Sequence, residues 1–147
     1  MILPAISIRQ PWAHRILHMA KDVENRTWPC PRQYIGQRVL IHAGLSTDGS
    51  VQDCTPEQQK ALLRAICADT RPRHLVEGMV PLPEGNAHKG GIVGIVTITG
   101  CVQDSASPWA EPGVYHWLLA DAKPLPFHPC KGRLGFFQVD YPHEVPA

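Results

Sequence analysis

The chain has 147 residues, 44% of them hydrophobic and 18% charged, and 14 Lys and Arg against 13 Asp and Glu leave a formal net charge of +1. That length suits one domain over residues 1–147 with a real core, and near-neutrality argues against a broad clamp that neutralises many phosphates. No apolar run approaches the ~18 residues of a membrane span, and the opening MILPAISIRQPW lacks the charged and long apolar regions of a signal peptide. Five cysteines without paired spacing read as reduced thiols, so a cytoplasmic location is expected.

In chain order, residues 5–8 after Pro4 predict a short first strand. Pro11 then opens a helix at a first-turn position, where its missing N–H costs nothing. Ala13, Ile16, Leu17 and Ala20 recur at i, i+3, i+4 and i+7 on one face, with His14, Arg15 and His18 on the other. Residues 23–28 read as a strand ended by Pro29-Cys30-Pro31, and residues 38–43 as a third strand with an apolar centre. Residues 44–54 are small and polar, a loop. Thr55-Pro56-Glu57-Gln58 forms a capping box with proline at the first helical position, and Leu62, Leu63, Ile66 and Cys67 form the expected buried stripe.

Residues 71–90, rich in Pro, Gly and charge, predict a long excursion with at most a short turn at 74–77. Residues 91–102 (GIVGIVTITGCV) are the best strand, β-branched and bounded by glycines. Residues 114–119 add another, with Tyr115 and Trp117 on one parity, and residues 134–139 close the set. About six strands and two or more peripheral helices, without regular strand–helix alternation, predict an α+β fold built on a small mixed β-barrel, which also removes exposed edges.

Lys21, Glu24 and Arg26 crowd the junction between the first helix and the second strand. Glu24 and Arg26, two apart, share one face of a strand. Lys21 falls in the preceding loop or on the opposite parity unless the chain bends. Such a cluster either neutralises itself on the surface, the usual fate of charged groups, or lines a pocket.

Met19, Lys21, Glu24 and Arg26, preceded by Ser7-Ile8-Arg9-Gln10-Pro11-Trp12, stand at the spacings of G-x-K-x-x-E-x-R. That pattern resembles the signature of the ASCH domain, a branch of the PUA-like barrels, with Met19 in place of the glycine. Ile41-His42-Ala43, Ser107-Pro108-Trp109, Tyr115-x-Trp117 and Gly132-x-x-Gly135-Phe136 also look like the family. The resemblance implies a PUA-like barrel that handles RNA or modified nucleosides. One group of small bacterial members hydrolyses the acyl amide of N(4)-acetylcytidine, with Thr where this chain has Glu24. Others are reported as single-strand ribonucleases, and a eukaryotic coactivator version is linked to nucleic-acid binding.

The residue chemistry suits the amide reaction. A lysine in an apolar site has its charged form disfavoured and can act as base or nucleophile. Glu24 beside it can orient the amine and exchange protons with the leaving group, while Arg26 can hold the carboxylate or an oxyanion. Trp12, Trp28, Trp109, Tyr115 and Trp117 can wall a flat pyrimidine, although a buried aromatic is usually core. His42 at a strand end is a candidate proton shuttle or ligand contact, or simply a hydrogen-bonded rim histidine. Glu111, in the loop after Trp109, is a second carboxylate near the expected pocket.

No metal or cofactor is expected. His14 and His18 lack the intervening acid of H-E-x-x-H, and His128 and Cys130 with Cys101 or Cys30 lack C-x-x-C pairing. The leading expectation is a metal-independent amidohydrolase of N(4)-acylated cytidine or cytosine, with Lys21 and Glu24 catalytic. Arg26, Trp12, Trp28, His42, Trp109 and Tyr115 are the expected substrate contacts. The rival is an RNA- or single-stranded-DNA-binding module built on a stripe of Arg15, Lys21, Arg26, Arg32, Arg38, Lys131 and Arg133, and a single-strand ribonuclease is third. In none of these is a membrane the partner.

Overall fold

The computed structural model describes residues 1–49, 53–68 and 87–147; the turn expected at 74–77 lies outside them. The elements are β1 (Ile2–Gln10), α1 (Trp12–His18), β2 (Val23–Arg26), a 3-10 turn (Arg32–Tyr34), β3 (Arg38–Thr47), α2 (Pro56–Ala68), β4 (Gly91–Val102), β5 (Tyr115–Pro129) and β6 (Phe136–Asp140). The strands form one six-stranded mixed sheet in the order β2–β5–β4–β3–β1–β6, an α+β fold as expected. β1 and β3 run parallel and every other pair antiparallel.

Strand alternation divides neighbouring residues between two cores. Ile6, Ile8, Ile41, Val96 and Trp117 pack on one face with Ala13 and Ile16 of α1. Ala5, Leu40, Ile95, Phe137 and Tyr141 pack on the other. Trp117 of β5 and Phe136 of β6 are four places apart in strand order, yet their rings stack with centroids 5.7 Å apart and planes 3° from parallel. The sheet has therefore rolled until its second and last strands meet. No backbone ladder joins the end strands β2 and β6 among the described residues, so side chains, not hydrogen-bonded strands, close the roll.

β5 runs far beyond the expected 114–119, through Pro124, Pro126 and Pro129. Its ladder with β4 shifts register three times, between Ile92 and Gly94, Ile95 and Thr97, and Ile98 and Gly100. Pro126 falls within the first of these shifts, where a bulge releases residues from regular pairing and so accepts a proline that has no N–H to donate, while Pro124 and Pro129 pair with Gly94 and Gly91. Gly94 matters for a second reason. A Cβ there would lie 2.4 Å from Leu17 Cδ2, so glycine lets α1 lie directly on the sheet.

α1 differs from its expected two-faced burial. Ala13 and Ile16 are buried, but so are His14 and Arg15. Gln10 caps the start of the helix: its Oε1 accepts the His14 backbone N–H at 3.0 Å, and its Nε2 donates to His88 O at 2.9 Å. α2 has its expected capping box, with Gln58 N–H donating to Thr55 Oγ1 at 3.2 Å and Thr55 N–H to Gln58 Oε1 at 2.9 Å. Its expected buried stripe is not formed. No α2 residue is buried, Cys67 is exposed, and Leu63 is 60% exposed. The apolar periodicity identified the helix without giving it a core to pack on.

Candidate functional site

A cleft of about 450 Å³ opens where the rolled sheet fails to close, within the ~300–1,000 Å³ usual for small-molecule sites. Pairing of β1 with β6 ends at Ile6–Phe136, while β1 continues to Gln10. The Met1 carbonyl accepts from Tyr141 N–H at 3.0 Å, so alternation turns the backbone groups of Ala5 and then Ser7 toward the same edge. Ser7 is the first of these beyond the ladder. Its carbonyl receives Arg26 Nη2 at 2.8 Å, and β2 thereby forms the opposite wall. Residues 44–46 and 133–135 complete the lining.

The charged cluster is built by a tight reversal after α1. Met19 N–H and Lys21 N–H both donate to Arg15 O, at 2.9 and 3.1 Å. The left-handed step falls on Ala20 (φ 56), with Met19 at φ −128. This bend aims Lys21 inward, where it is 3% exposed. Its Nζ donates to Val23 O and lies 3.6 Å from Glu24 Oε1. Glu24, 7% exposed, uses Oε2 to accept from Arg26 Nη2 at 3.0 Å. The Lys21 amine and the Arg15 guanidinium each sit 5.4 Å from the Trp12 ring centroid, a cation–π arrangement.

Burial pushes the Lys21 amine below its ordinary 10.5, and Glu24 pulls it partly back, with Glu111 acting in the same sense and Arg26 in the opposite one. The carboxylate, held between two cations, faces the cleft. Lys21 does not: it reaches Glu24 from behind and borders a neighbouring recess of about 550 Å³ beside Ala61 and Leu62 of α2.

The remaining expected residues divide by place. Trp12, Glu24 and Arg26 line the cleft. Trp28 packs in the aromatic cluster, edge-on to Trp117 at 4.7 Å, and its carbonyl accepts Trp117 Nε1–H at 3.2 Å. Tyr115 pairs with Arg26 across the β2–β5 ladder. Trp109 is buried, with its carbonyl held by Asn25 Nδ2 at 3.0 Å. Asn25 Oδ1 also accepts Glu111 N–H at 3.0 Å, while His116 Nε2 donates to Glu111 O at 2.5 Å, so the loop carrying Glu111 is tied to β2 and β5. His42, 2% exposed, is bonded to Ser7 and to the Cys130 carbonyl.

Sequence reasoning did not single out Ser7, Arg9, Asn25 or Leu134 as cleft residues. Arg9 was findable from its two-residue spacing to Ser7 on one strand; Leu134 had no local signal. The expected basic stripe is not assembled as such. Arg15 and Lys21 are buried, and Arg38, at the start of β3, donates to Pro146 O. Arg9, Arg26 and Arg133 do converge on the cleft. Among the described residues, no group of three His, Cys, Asp or Glu side chains is arranged to hold a metal ion, and no helix is long and apolar enough to cross a membrane.

A family model for the ASCH domain matches residues 6–126. The chain belongs to the ASCH domain family. A comparison with curated proteins finds no match. The matched span of this ASCH domain contains Lys21, Glu24 and Arg26, whereas residues 133–135 of the cleft wall lie beyond it. Membership is compatible with RNA or nucleotide binding and with a hydrolase-like role.

Proposed function

We propose that this ASCH domain is a metal-independent amidohydrolase that removes the acyl group from N(4)-acylated cytidine or cytosine. The observation that carries the reading is the buried Lys21–Glu24 pair, with its carboxylate presented to a cleft beside Trp12. Glu24 meets the substrate and passes a proton to the leaving nitrogen. Lys21, its charged form disfavoured by burial, stands behind as the proton partner that sets the state of Glu24. Arg26 holds the second carboxylate oxygen, and the Trp12 ring offers a stacking face for a pyrimidine. Incubation of the protein with N(4)-acetylcytidine, followed by the ultraviolet change on release of cytidine, tests this. Turnover lost in Lys21→Met and Glu24→Gln supports it; absence of turnover by the native protein defeats it.

A second reading rests on Arg9, Arg26 and Arg133 lining one cleft. In it the domain binds single-stranded RNA or DNA without chemistry. Salt-dependent oligonucleotide binding with no product formed distinguishes it.

A further inference from the structure

We propose that Ser7 is an acyl-accepting nucleophile with His42 as its base, so that the cleft passes the acyl group of a small amide or ester through a covalent serine ester. The proposal deepens the amidohydrolase reading, on which it rests for its natural substrate, by supplying the nucleophile. Lys21 is poorly placed for that role, because its amine is engaged by Val23 O and Glu24 and does not line the cleft.

Ser7 lines the cleft and sits directly opposite His42 in the parallel β1–β3 ladder. Its Oγ lies 3.1 Å from His42 Nδ1, and His42 Nε2 lies 2.7 Å from the Cys130 carbonyl oxygen. A carbonyl only accepts, so the ring hydrogen resides on Nε2, and in the neutral ring Nδ1 is left as the acceptor for the Ser7 hydroxyl. Nucleophile, base and orienting acceptor thus follow one another at hydrogen-bond distance, the arrangement that activates a serine. Phe137 packs edge-on to the imidazole at 5.7 Å.

Two glycines shape the surroundings. A Cβ on Gly132 would come within 2.7 Å of both Ser7 Oγ and His42 Cε1, so glycine lets the chain after Cys130 pass close beside the pair. Gly44, on the same side of β3 as His42, has open space where a side chain would stand, and it lines the cleft.

In the first step Ser7 Oγ bonds to the acyl carbon as its proton passes to His42 Nδ1. The carbon–nitrogen bond then breaks, and that proton is relayed through water and Glu24 to the departing exocyclic nitrogen of cytosine. In the second step Nδ1 takes a proton from water, the resulting hydroxide attacks the ester carbon, and the proton returns to Ser7 Oγ as the carboxylic acid leaves.

The test uses the whole protein with two donors, N(4)-acetylcytidine and the activated ester p-nitrophenyl acetate, followed by acid quench, intact mass and peptide mapping. The expected result with the ester is one added acetyl group on the peptide containing Ser7. It is absent in Ser7→Ala, persists longer as a thioester in Ser7→Cys, and forms about 100-fold or more slowly in His42→Gln, with all variants keeping the native circular dichroism. Acetylation only at surface amines, or an unchanged rate of ester consumption in Ser7→Ala, overturns the proposal. If Ser7→Ala releases cytidine at the native rate, the serine proposal falls while the amidohydrolase reading stands. If Ser7 is acetylated by the ester but no cytidine is released, the serine proposal stands and the cytidine reading falls.

Discussion

One nitrogen of Arg26, Nη2, donates both to Ser7 O across the open seam, at 2.8 Å, and to Glu24 Oε2, at 3.0 Å. The same side chain therefore fixes the carboxylate and stands in for the strand pairing that the end of the sheet lacks.

Removing it has a structural signature. Arg26→Ala is expected to cost about 1–3 kcal/mol, because an acceptor and a buried carboxylate lose a charged donor. Its mark in hydrogen exchange is faster exchange confined to the β1 residues beyond Ile6 and to β2. Denaturant titration and exchange mass spectrometry check this, and uniform destabilisation with no local change counts against it.

The Lys21–Glu24 pair is nearly enclosed, so breaking it from one side leaves a charge without its partner. Glu24→Gln is expected to lower turnover by about 10²–10⁴-fold and to destabilise by about 3–5 kcal/mol. In a Lys21→Met, Glu24→Gln double variant, much of the stability returns and the activity does not. A double-mutant cycle measures the coupling; additive stability losses would contradict the pairing.

The pH dependence of stability follows from Lys21. Its folded value lies below the 10.5 of the unfolded chain, so between those values the unfolded chain holds the extra proton and stability rises with pH. Below the folded value the amine is charged in both states and the cost of burying it is felt in full. Relative to Lys21→Met, the native protein should gain stability as the pH is raised from neutral toward the ordinary 10.5. Urea unfolding at the two ends of that range reads this directly, and a difference that shrinks or reverses as pH rises refutes it.

Arg9 and Arg133 line the cleft without any acidic partner among the described residues. On the nucleic-acid-binding reading, Arg9→Ala and Arg133→Ala are each expected to weaken binding of a single-stranded oligonucleotide and to reduce the salt slope by about 1. Neither should alter thermal stability by more than about 0.5 kcal/mol. Fluorescence anisotropy across a salt series measures the slope; an unchanged slope removes both arginines from any phosphate contact.

The sequence pattern revealed the parts of the fold that depend on local periodicity. The β-branched run of β4 and the capping box at Thr55–Gln58 were legible because each is specified within a few residues. The length of β5 was not, since its prolines argue against a strand until the register shifts of the β4 pairing are known. Arg15 is buried beneath the Trp12 ring, and Leu63 on α2 stays exposed, neither of which the periodicity of a helix specifies by itself. In the site, Lys21, Glu24 and Arg26 came from one short motif. Ser7 and Arg133 join them only because β1 outruns β6, a relation between segments more than a hundred residues apart.

β6 begins only after Gly135, whose φ of 66 sets the turn just before the strand joins β1. Few other residues adopt that conformation without strain. A chain that went on zipping from Phe136 past Ile6 would seal the roll into a continuous shell, with no mouth and no access to Glu24. The capacity of the recess is thus metered by where a single edge strand begins, and its size can drift through one turn while the acid–base cluster behind it stays untouched.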